Sequence, residues 1–435
     1  MKKILYFPTR YFPAISGAEF YIQRIAEILN LNYNYNVNII TSNALDFKSL
    51  RAVNGKLVHE NSKYYNIVNN LKVNRYPINY SLSLDAKTQI VKELASSQKL
   101  ILDDTQIKYF LSNGPYLENL LKELEKFKQD SYDLIHTTFY PYFNLVITLL
   151  IGKITNKPTI CTPFFHFSNP RYLNSAAVKI LDKFDIIISC TSSEKEFLVK
   201  NFKISEHKIR VIPMGVDNKI FSPSLHKDKH EYSFKQKYFR KKERSYKMVL
   251  FCGYKNFEKG ALSILKAIPL IVNKFRKVYF VFIGPSTLAF NRELSKLQKL
   301  RDYRIINLSP DNLKGYFDKK KIAAFQETDL YLMPSRSDAF GIAYLEAWAS
   351  GKPVIGANIG ATPEVIRQDI DGFLVNFNNP IDISDKVIKL LKNKRLRHKL
   401  GNSGKEKIEK FFTWDIITKK THELYQELIT EWGKK

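Results

Sequence analysis

Residues 335–372 place the tightest limit on the folds that this chain can adopt. An apolar segment typical of a buried strand leads into a polar loop, and residues 341–350 then have the composition of a helix. Gly351 follows, and glycine is the residue type that most often ends a helix. The loop places Asp338 just before the helix, while Glu346 lies about one and a half turns into it. A strand, a loop and a helix in this order are typical of parallel α/β folds.

The start of this helix is suited to binding an anion. The backbone N–H groups of Phe340, Gly341 and Ile342 lie before or within the first turn, so they have no acceptor inside the helix. The helix dipole adds partial positive charge at the same point. We therefore predict an anionic ligand at this helix start, with the carboxylate of Asp338 facing it.

The spacing of the two acidic residues resembles a known family signature. Asp338 and Glu346 have seven residues between them, and the sequence Gly-Lys-Pro-Val follows at residues 351–354. This arrangement is similar to that of retaining GT-B glycosyltransferases, in the glycosyltransferase family 4-like group that includes sucrose synthase and phosphatidylinositol mannosyltransferases. Most members have Glu at both acidic positions. The resemblance extends over most of the chain, from residue 17 to residue 364.

The resemblance implies an α/β fold with two Rossmann-like lobes facing a cleft, and a C-terminal helix that crosses back to the first lobe. It assigns residues 1–215 to an acceptor-binding lobe, residues 248–412 to a nucleotide-sugar-binding lobe, and residues 413–435 to packing on the first lobe. Residues 216–247 are assigned to a basic linker. Within it, residues 226–247 contain nine Lys or Arg against three acidic residues, so we expect a solvated linker or a mobile helix.

Short apolar strands alternate with helical patterns in both predicted lobes. In the first lobe the pattern is helical at residues 116–128. In the second it predicts a helix at residues 261–274 and strands at residues 278–283 and 330–333. This alternation supports a parallel sheet in each lobe.

Two positions in the first lobe are candidate ligand-binding residues. Gly17 ends a small-residue loop between a strand and a helix, where the backbone can approach a diphosphate or an acceptor closely; the alternative is a tight turn. His166 follows a predicted strand, and the resemblance places a histidine near the donor sugar at this position. His136 also ends a strand, and for it we favour a structural role.

The second lobe offers candidate groups for a diphosphate. A predicted strand ends at Gly253, and Lys259 stands at the start of the next helix, where its charge adds to that of the free N–H groups. The resembling family has Gly-Arg followed by Lys-Gly here, and this chain has Tyr254 in place of the Arg. Lys255, the next residue, is our candidate for the missing positive charge.

The resemblance implies a role for each of these residues in moving a hexose from a nucleoside diphosphate sugar to a hydroxyl of a glycan or lipid-linked acceptor. Glu346 would bind the ribose hydroxyls, and Asp338 and His166 would lie at the donor sugar. Lys259 would neutralise the diphosphate as negative charge develops on the leaving oxygen. No residue resembles a nucleophile. Front-face attack with retention, often proposed for the family, is therefore the expected mechanism, and assembly of a surface polysaccharide or glycoconjugate the expected process.

The net charge of +27 favours anionic partners. Beyond the nucleotide sugar and the acceptor, an anionic membrane surface is a possible partner, whereas we expect no nucleic acid. The alternative is that the lysine content reflects composition alone. The longest apolar segment, residues 139–151, falls short of the ~20 residues that cross a bilayer. We therefore expect a cytoplasmic protein, peripheral at the inner face of the membrane.

The three cysteines lack metal-type spacing and are interpreted as reduced core residues. Because this fold class usually works without a metal, we expect neither a metal nor a cofactor.

Three alternatives remain open from the sequence. A sugar-nucleotide epimerase has the same two-lobed plan and would release an isomerised sugar without an acceptor. A glycoside hydrolase needs two carboxyls about 5–9.5 Å apart that flank the scissile bond, whereas Asp338 and Glu346 are expected along one donor. A non-catalytic basic protein that binds membrane or nucleic acid would explain the charge but not this acidic pair.

Overall fold

The computed structural model describes residues 1–222, 232–313 and 315–434, and the chain divides into two compact units. The first unit consists of Met1–Phe165, Pro170–Pro213 and Asp415–Lys435. The second consists of His166–Asn169 and Met214–Trp414. Each unit combines helices with one mainly parallel sheet, which confirms the prediction of two Rossmann-like lobes.

The first unit is built on an eight-stranded sheet. Its strands are β1 (Lys3–Pro8), β2 (Asn36–Ser42), β3 (Ile67–Val68), β4 (Leu71–Tyr76), β5 (Leu134–Thr138), β6 (Thr159–Thr162), β7 (Ile186–Ser189) and β8 (Ile209–Val211). They lie in the order β3-β4-β2-β1-β5-β6-β7-β8, and every pair is parallel except β3 with β4. The chain builds outward from β1 on one side and then continues with β5 on the other. A topological switch point therefore lies between β1 and β5.

Helices pack on this sheet, and its central strands are rich in apolar residues because they are buried. The helices before residue 214 are α1 (Gly17–Asn32), α2 (Leu84–Ser97), α3 (Asp104–Asn113), α4 (Glu118–Lys122), α5 (Asn144–Thr155), α6 (Ser175–Val178) and α7 (Ser192–Phe202). The apolar segment at residues 139–151 runs into α5, which is buried along most of its length. Among the described residues, no helix combines the length and apolar composition that a membrane span requires.

The second unit is built on a six-stranded parallel sheet. Its strands are β9 (Lys247–Cys252), β10 (Val278–Ile283), β11 (Ile305–Leu308), β12 (Leu330–Met333), β13 (Val354–Ala357) and β14 (Gly372–Val375). They lie in the order β11-β10-β9-β12-β13-β14. The chain again builds outward on one side and then returns, so the switch point lies between β9 and β12.

The helices of the second unit follow its strands. They are α8 (Asn218–Phe221), α9 (Phe234–Tyr238), α10 (Ala261–Lys274), α11 (Leu288–Leu300), α12 (Lys319–Glu327), α13 (Ile342–Ala349), α14 (Thr362–Val365), α15 (Pro380–Lys392) and α16 (Lys394–Phe411). Helix α13 contacts α16 where Trp348 faces Gly404, and a Cβ at Gly404 would come within 1.9 Å of the indole. The indole N–H also donates to the Asp371 carbonyl at 2.8 Å, so α13 is fixed at its buried face.

The segment predicted as a basic linker is packed where the structure describes it. Residues 226–231 of that prediction lie outside the described residues. Further along, Phe234 on α9 is fully buried, and the ring of Phe239 stacks on Tyr279 with centroids 3.8 Å apart. Residues 232–247 therefore belong to the second unit instead of forming a solvated linker, because the aromatic residues between the lysines are buried.

The last helix, α17 (Trp414–Trp432), belongs to the first unit from Asp415 onward, as the resemblance predicted. The hydroxyl of Tyr425 lies 2.7 Å from that of Tyr6 on β1 and also hydrogen-bonds His136 Nδ1. His136 is fully buried, and burial lowers its pKa to about 3. His136 is thus a neutral core residue that helps to hold α17 on the sheet.

Candidate functional site

The switch point of the second sheet brings the loops after β9 and β12 into contact. Gly260, at the start of α10, has a φ of 75°, and a Cβ there would lie 2.3 Å from the carbonyl oxygen of Pro334. Any side chain at this position would separate the two loops. Because open parallel sheets bind ligands beyond the carboxyl ends of their strands at such a point, these loops form the candidate site.

Asp338 has one bound and one unpartnered carboxylate oxygen. Its Oδ1 accepts a hydrogen bond from the amine of Lys259, and this side chain is 10% exposed. Its Oδ2 is buried and has no hydrogen-bond partner among the described residues. Leaving a buried charged acceptor unsatisfied costs about 1–3 kcal/mol or more. Oδ2 is therefore placed to accept a hydrogen bond from a ligand.

Lys259 is held at the same loop by two acceptors. Its Nζ donates to the Ser337 carbonyl at 2.6 Å and to Asp338 Oδ1. A lysine ammonium has three N–H donors, so one remains for a further acceptor. The structure thus brings together Lys259 and Asp338, two residues that the sequence predicted as parts of one site.

Helix α13 begins as the sequence predicted, with Gly341 as its N-cap in a left-handed conformation at φ 95°. No acceptor is recorded within the described residues for the backbone N–H groups of Phe340, Gly341 or Ile342. A Cβ at Gly341 would lie 2.6 Å from the ring of Tyr344, which fixes glycine at this turn. The helix start therefore offers unpaired N–H donors beside Asp338.

His166 also reaches this loop and belongs to the second unit. Its Nδ1 lies 3.0 Å from the hydroxyl of Ser337, which accepts a further hydrogen bond from Asn169 at 3.1 Å. Burial is the main cause that lowers the pKa of His166 to about 4, and the charge of Lys259 adds to it. His166 is therefore neutral near pH 7, and it contacts Ser337, the residue that precedes Asp338.

Glu346 is almost fully buried on α13, and its partner was not predicted. Its Oε1 accepts from the amine of Lys321 at 2.7 Å, with the two side chains 2% and 7% exposed. The Lys321 amine lies 3.6 Å from the ring centroid of Tyr316, whose hydroxyl also hydrogen-bonds Glu346. Lys321 ends a run of three lysines, so nothing in the sequence distinguished its buried ammonium from its solvated neighbours.

Lys255 does not occupy the position that we predicted for it. Its side chain is fully buried, and the amine donates to Asn307 Oδ1 at 2.5 Å and to the Leu308 carbonyl at 3.0 Å. Burial lowers its pKa to about 8. The amine is thus directed to the end of β11 and does not replace the absent Arg. Tyr254, which stands where the Arg was expected, is 46% exposed.

Two further residues, also unpredicted, fix the loop that carries Asp338. The guanidinium of Arg336 pairs with both oxygens of Glu258, at 2.7 and 3.0 Å. The backbone N–H of Arg336 donates to the Glu258 carbonyl at 2.9 Å. This double attachment joins the loop after β12 to the loop after β9, which includes Gly253 and Lys259. Because its guanidinium is bound to Glu258, Arg336 holds the two loops together.

Gly17 lies in the first unit, at the start of α1. The loop before it is fixed by a buried ion pair in which Arg10 Nε donates to Glu19 Oε1 at 2.9 Å. The hydroxyl of Ser16 donates to the other oxygen of Glu19. These contacts explain the shape of the loop and leave the predicted ligand role of Gly17 as a prediction.

Within the described ranges, no group of three or more His, Cys, Asp or Glu side chains is arranged to hold a metal ion. The second-unit site instead combines an ammonium, unpaired backbone N–H groups and an unsatisfied carboxylate oxygen. Such a set can bind an anion next to a group that bears hydroxyls.

Comparison with known proteins identifies the same two parts of the chain. The family profile described as Glycosyl transferases group 1 matches residues 234–407, and the profile described as Glycosyltransferase Family 4 matches residues 92–219. The first match contains Lys259, Asp338 and Glu346.

Related sequences and structures agree with these profiles. The D-inositol 3-phosphate glycosyltransferase of Corynebacterium jeikeium is 27% identical over 256 residues, which span 58% of this chain and 59% of that protein. An uncharacterised glycosyltransferase of Methanocaldococcus jannaschii is 26% identical over 361 residues, 76% of this chain and 98% of that protein. The structure of Anabaena HepE in complex with UDP-glucose superposes with a TM-score of 0.70 at 15% identity, covering 98% of this chain and 100% of that chain.

Two Rossmann-like units are the architecture of the GT-B class of glycosyltransferases, and this chain has that fold. Each unit of the chain matches a glycosyltransferase profile, and the chain is similar to the glycosyltransferase family 4-like group of this class.

Proposed function

We propose that this protein is a retaining hexosyltransferase that uses a nucleoside diphosphate sugar and a hydroxyl acceptor on a glycan or lipid-linked glycan. The observation that carries the proposal is the unsatisfied Oδ2 of Asp338 beside the ammonium of Lys259. A sugar hydroxyl would satisfy the carboxylate oxygen, and a diphosphate oxygen would take the third donor of the ammonium.

The leaving diphosphate has further donors at the start of α13. The N–H groups of Phe340, Gly341 and Ile342 point to the same end of the helix, where the dipole favours negative charge. As the bond from the anomeric carbon to the diphosphate oxygen breaks, negative charge increases on that oxygen. Donors fixed in advance stabilise this charge without reorganisation, and one such donor contributes about 3 kcal/mol.

Glu346 is the proposed ribose ligand. A carboxylate accepts about four hydrogen bonds, so the contacts with Lys321 and Tyr316 leave capacity for a ribose hydroxyl.

Retention follows in this proposal from attack on the face that the diphosphate leaves. The acceptor oxygen bonds to the anomeric carbon, and its proton passes to an oxygen of the departing diphosphate. No protein nucleophile is needed. Asp338 and neutral His166 orient the sugar hydroxyls, and His166 does so without adding charge because its pKa is about 4.

Uridine diphosphate sugars are the first donors to test, because HepE shares the fold and was solved with UDP-glucose. Assembly of a surface polysaccharide or glycoconjugate, at the inner face of the membrane, is the process that we propose for this activity. It is supported by the net charge of +27 and by the processes in which the resembling family commonly acts.

The proposal is tested by sugar transfer from radiolabelled nucleotide sugars to polysaccharide and lipid-linked glycan fractions. Wild type is expected to transfer label from one nucleotide sugar, and Lys259→Met is expected to reduce the rate about 100-fold. Lys274→Met is the matched control, because Lys274 lies at the far end of α10 and is 61% exposed. Equal rates in both variants would contradict the role of Lys259.

The chemical outcome separates retention from its alternatives. An α-linked donor that gives an α-linked product, seen in the anomeric proton coupling, supports retention, and a β-linked product contradicts it. A donor sugar that isomerises without acceptor would establish the epimerase instead.

A further inference from the structure

A basic pocket lies at the amino ends of the strands in the second unit. It has a volume of about 160 Å³ and is formed where β9, β12 and β13 begin, beside the first turn of α16. The candidate donor site lies beyond the carboxyl ends of β9 and β12. Strands of four to six residues span about 13–20 Å, so the basic pocket and the donor site are separate.

Positive charge in this pocket exceeds negative charge. Its charged lining consists of Lys247, Asp329, Lys352, Lys394 and Arg397, and His398 also lines it. Behind the lining, Lys235 and Glu327 complete the charged set. Five cationic side chains thus face two carboxylates, an excess of three positive charges.

The two carboxylates are already occupied. Asp329 pairs with Lys247 at 3.0 Å, Arg397 at 3.3 Å and Lys235 at 3.7 Å, and it also accepts the N–H of Met248 at 3.0 Å. Glu327 accepts two backbone N–H groups at the start of α9. Asp329 is thus shared among three cations, and among the described residues neither carboxylate forms an ion pair with Lys352.

Lys352 is a cation in this pocket that has no carboxylate partner among the described residues. It is half-buried in the pocket, and within the described part of the chain no ion pair or hydrogen bond is recorded for its amine. Burial is the main cause that lowers its pKa to about 8, with Lys235 and Arg397 acting in the same direction and Asp329 against it. The ammonium is thus held without an acceptor among like charges.

The first turn of α16 adds backbone donors to these side chains. This helix has 18 residues, and its N-cap Asn393 accepts only the N–H of Leu396 with its side chain. No acceptor is recorded among the described residues for the N–H groups of Lys394 and Arg395. The helix dipole therefore directs partial positive charge into the pocket.

We propose that this pocket binds a phosphoryl group, presented either by the headgroup of an anionic lipid or by a soluble phosphate ester. The volume accepts one tetrahedral oxyanion. Its several oxygens would take donors from Lys352, Lys394 and the start of α16 at once, and its charge would offset the positive excess.

Titration with inorganic phosphate at constant ionic strength tests the site. Phosphate is expected to raise the unfolding midpoint of wild type, and Lys352→Gln and Lys394→Gln are each expected to weaken binding about tenfold. Lys399→Gln is the matched control, because Lys399 is exposed on the same helix outside the pocket. Lys394 is itself exposed, so its replacement leaves the fold intact and keeps the test valid.

Two results would overturn the proposal. One is the absence of any phosphate-dependent shift in wild type. The other is a shift that is the same in both pocket variants but disappears in Lys259→Met, because phosphate would then occupy the donor site.

Vesicles distinguish the two sources of the phosphoryl group. A lipid source predicts that wild type sediments with phosphatidic acid vesicles but not phosphatidylcholine vesicles, that free phosphate releases it, and that Lys352→Gln binds less. If the source is a soluble ester, phosphate should still raise the unfolding midpoint as described above. Wild type and Lys352→Gln should then sediment equally with vesicles.

Discussion

Both switch points carry an acidic residue in an ion pair, buried in the first unit and part-buried in the second, but only the second pair leaves an oxygen unsatisfied. In the first unit, Glu19 receives Arg10 on one oxygen and Ser16 on the other. In the second unit, Asp338 receives Lys259 on one oxygen, and its other oxygen has no partner among the described residues.

The difference separates structural ion pairs from ligand-binding ones. A pair with both oxygens satisfied fixes a loop, and removing one partner mainly destabilises the fold. A pair with an unsatisfied oxygen keeps hydrogen-bonding capacity that a ligand can use. Both units have an ion pair at the switch point, so the hydrogen-bond partners of each carboxylate oxygen distinguish the two roles.

The largest expected effect is on stability in the first unit. Glu19→Gln leaves the buried guanidinium of Arg10 unpaired and should lower the free energy of unfolding by about 3–5 kcal/mol, measured by urea denaturation. The matched control is Glu27→Gln, in a part-buried pair with Arg24 on the same helix, where the loss should be smaller. Equal losses of stability in Glu19→Gln and Glu27→Gln would contradict a special structural role for the Arg10–Glu19 pair.

Asp338→Asn should show the opposite pattern. The substitution preserves shape and removes the acceptor charge at the donor sugar, so kcat/KM should fall about 100- to 1,000-fold. The free energy of unfolding should change by less than about 1 kcal/mol, because Lys259 keeps the Ser337 carbonyl as an acceptor and is partly exposed. A stability loss as large as that of Glu19→Gln would show that both pairs are structural.

The pair of Lys321 and Glu346 should combine both behaviours. Lys321→Met leaves Glu346 as an unpaired buried charge, with an expected loss of about 3 kcal/mol in stability. The double variant Lys321→Met/Glu346→Gln removes both charges and should recover most of that loss, yet bind nucleotide more weakly than wild type. Urea denaturation and nucleotide titration of all four proteins measure the coupling. Additive stability losses would exclude it.

Acid should destabilise the second unit through His166. Its folded pKa is about 4 and its unfolded pKa about 6.5, so the unfolded state binds more protons between these values. The stabilisation is complete above pH 6.5 and is lost as the pH falls, by about 2 kcal/mol at pH 5. Urea denaturation of wild type and His166→Gln at pH 7.5 and 5 checks this, and the variant should lose less. His136 makes the same contribution in the first unit and is unaffected by that substitution.

The sequence predicted regular elements well where apolar periodicity determines them. Helix 261–274 and strands 278–283 and 330–333 have the bounds that the pattern indicated. Residues 116–128, predicted as helical, form the short α4 and a 3-10 stretch at Leu124–Gln129. Apolar spacing shows which side chains are buried there, but it does not distinguish the two helix types over so short a segment.

The site was predicted in part for a similar reason. Asp338, Lys259 and the start of α13 come together because each follows a strand next to the switch point, which sequence order reveals. Lys255 was assigned wrongly because the direction of a side chain after a strand depends on the acceptors available, here Asn307 and Leu308. Lys321 was missed because its partner lies 25 residues away on another helix.

Thermal unfolding with UDP, GDP, ADP, TDP and CMP, on wild type and Lys259→Met, tests the central claim most directly. If the second switch point binds the donor diphosphate, one diphosphate at about 100 times its dissociation constant should stabilise wild type by about 2.7 kcal/mol, several degrees in the midpoint. The shift should disappear in Lys259→Met and persist in Lys274→Met. No shift with any nucleotide, or a shift that Lys259→Met retains in full, would contradict the claim.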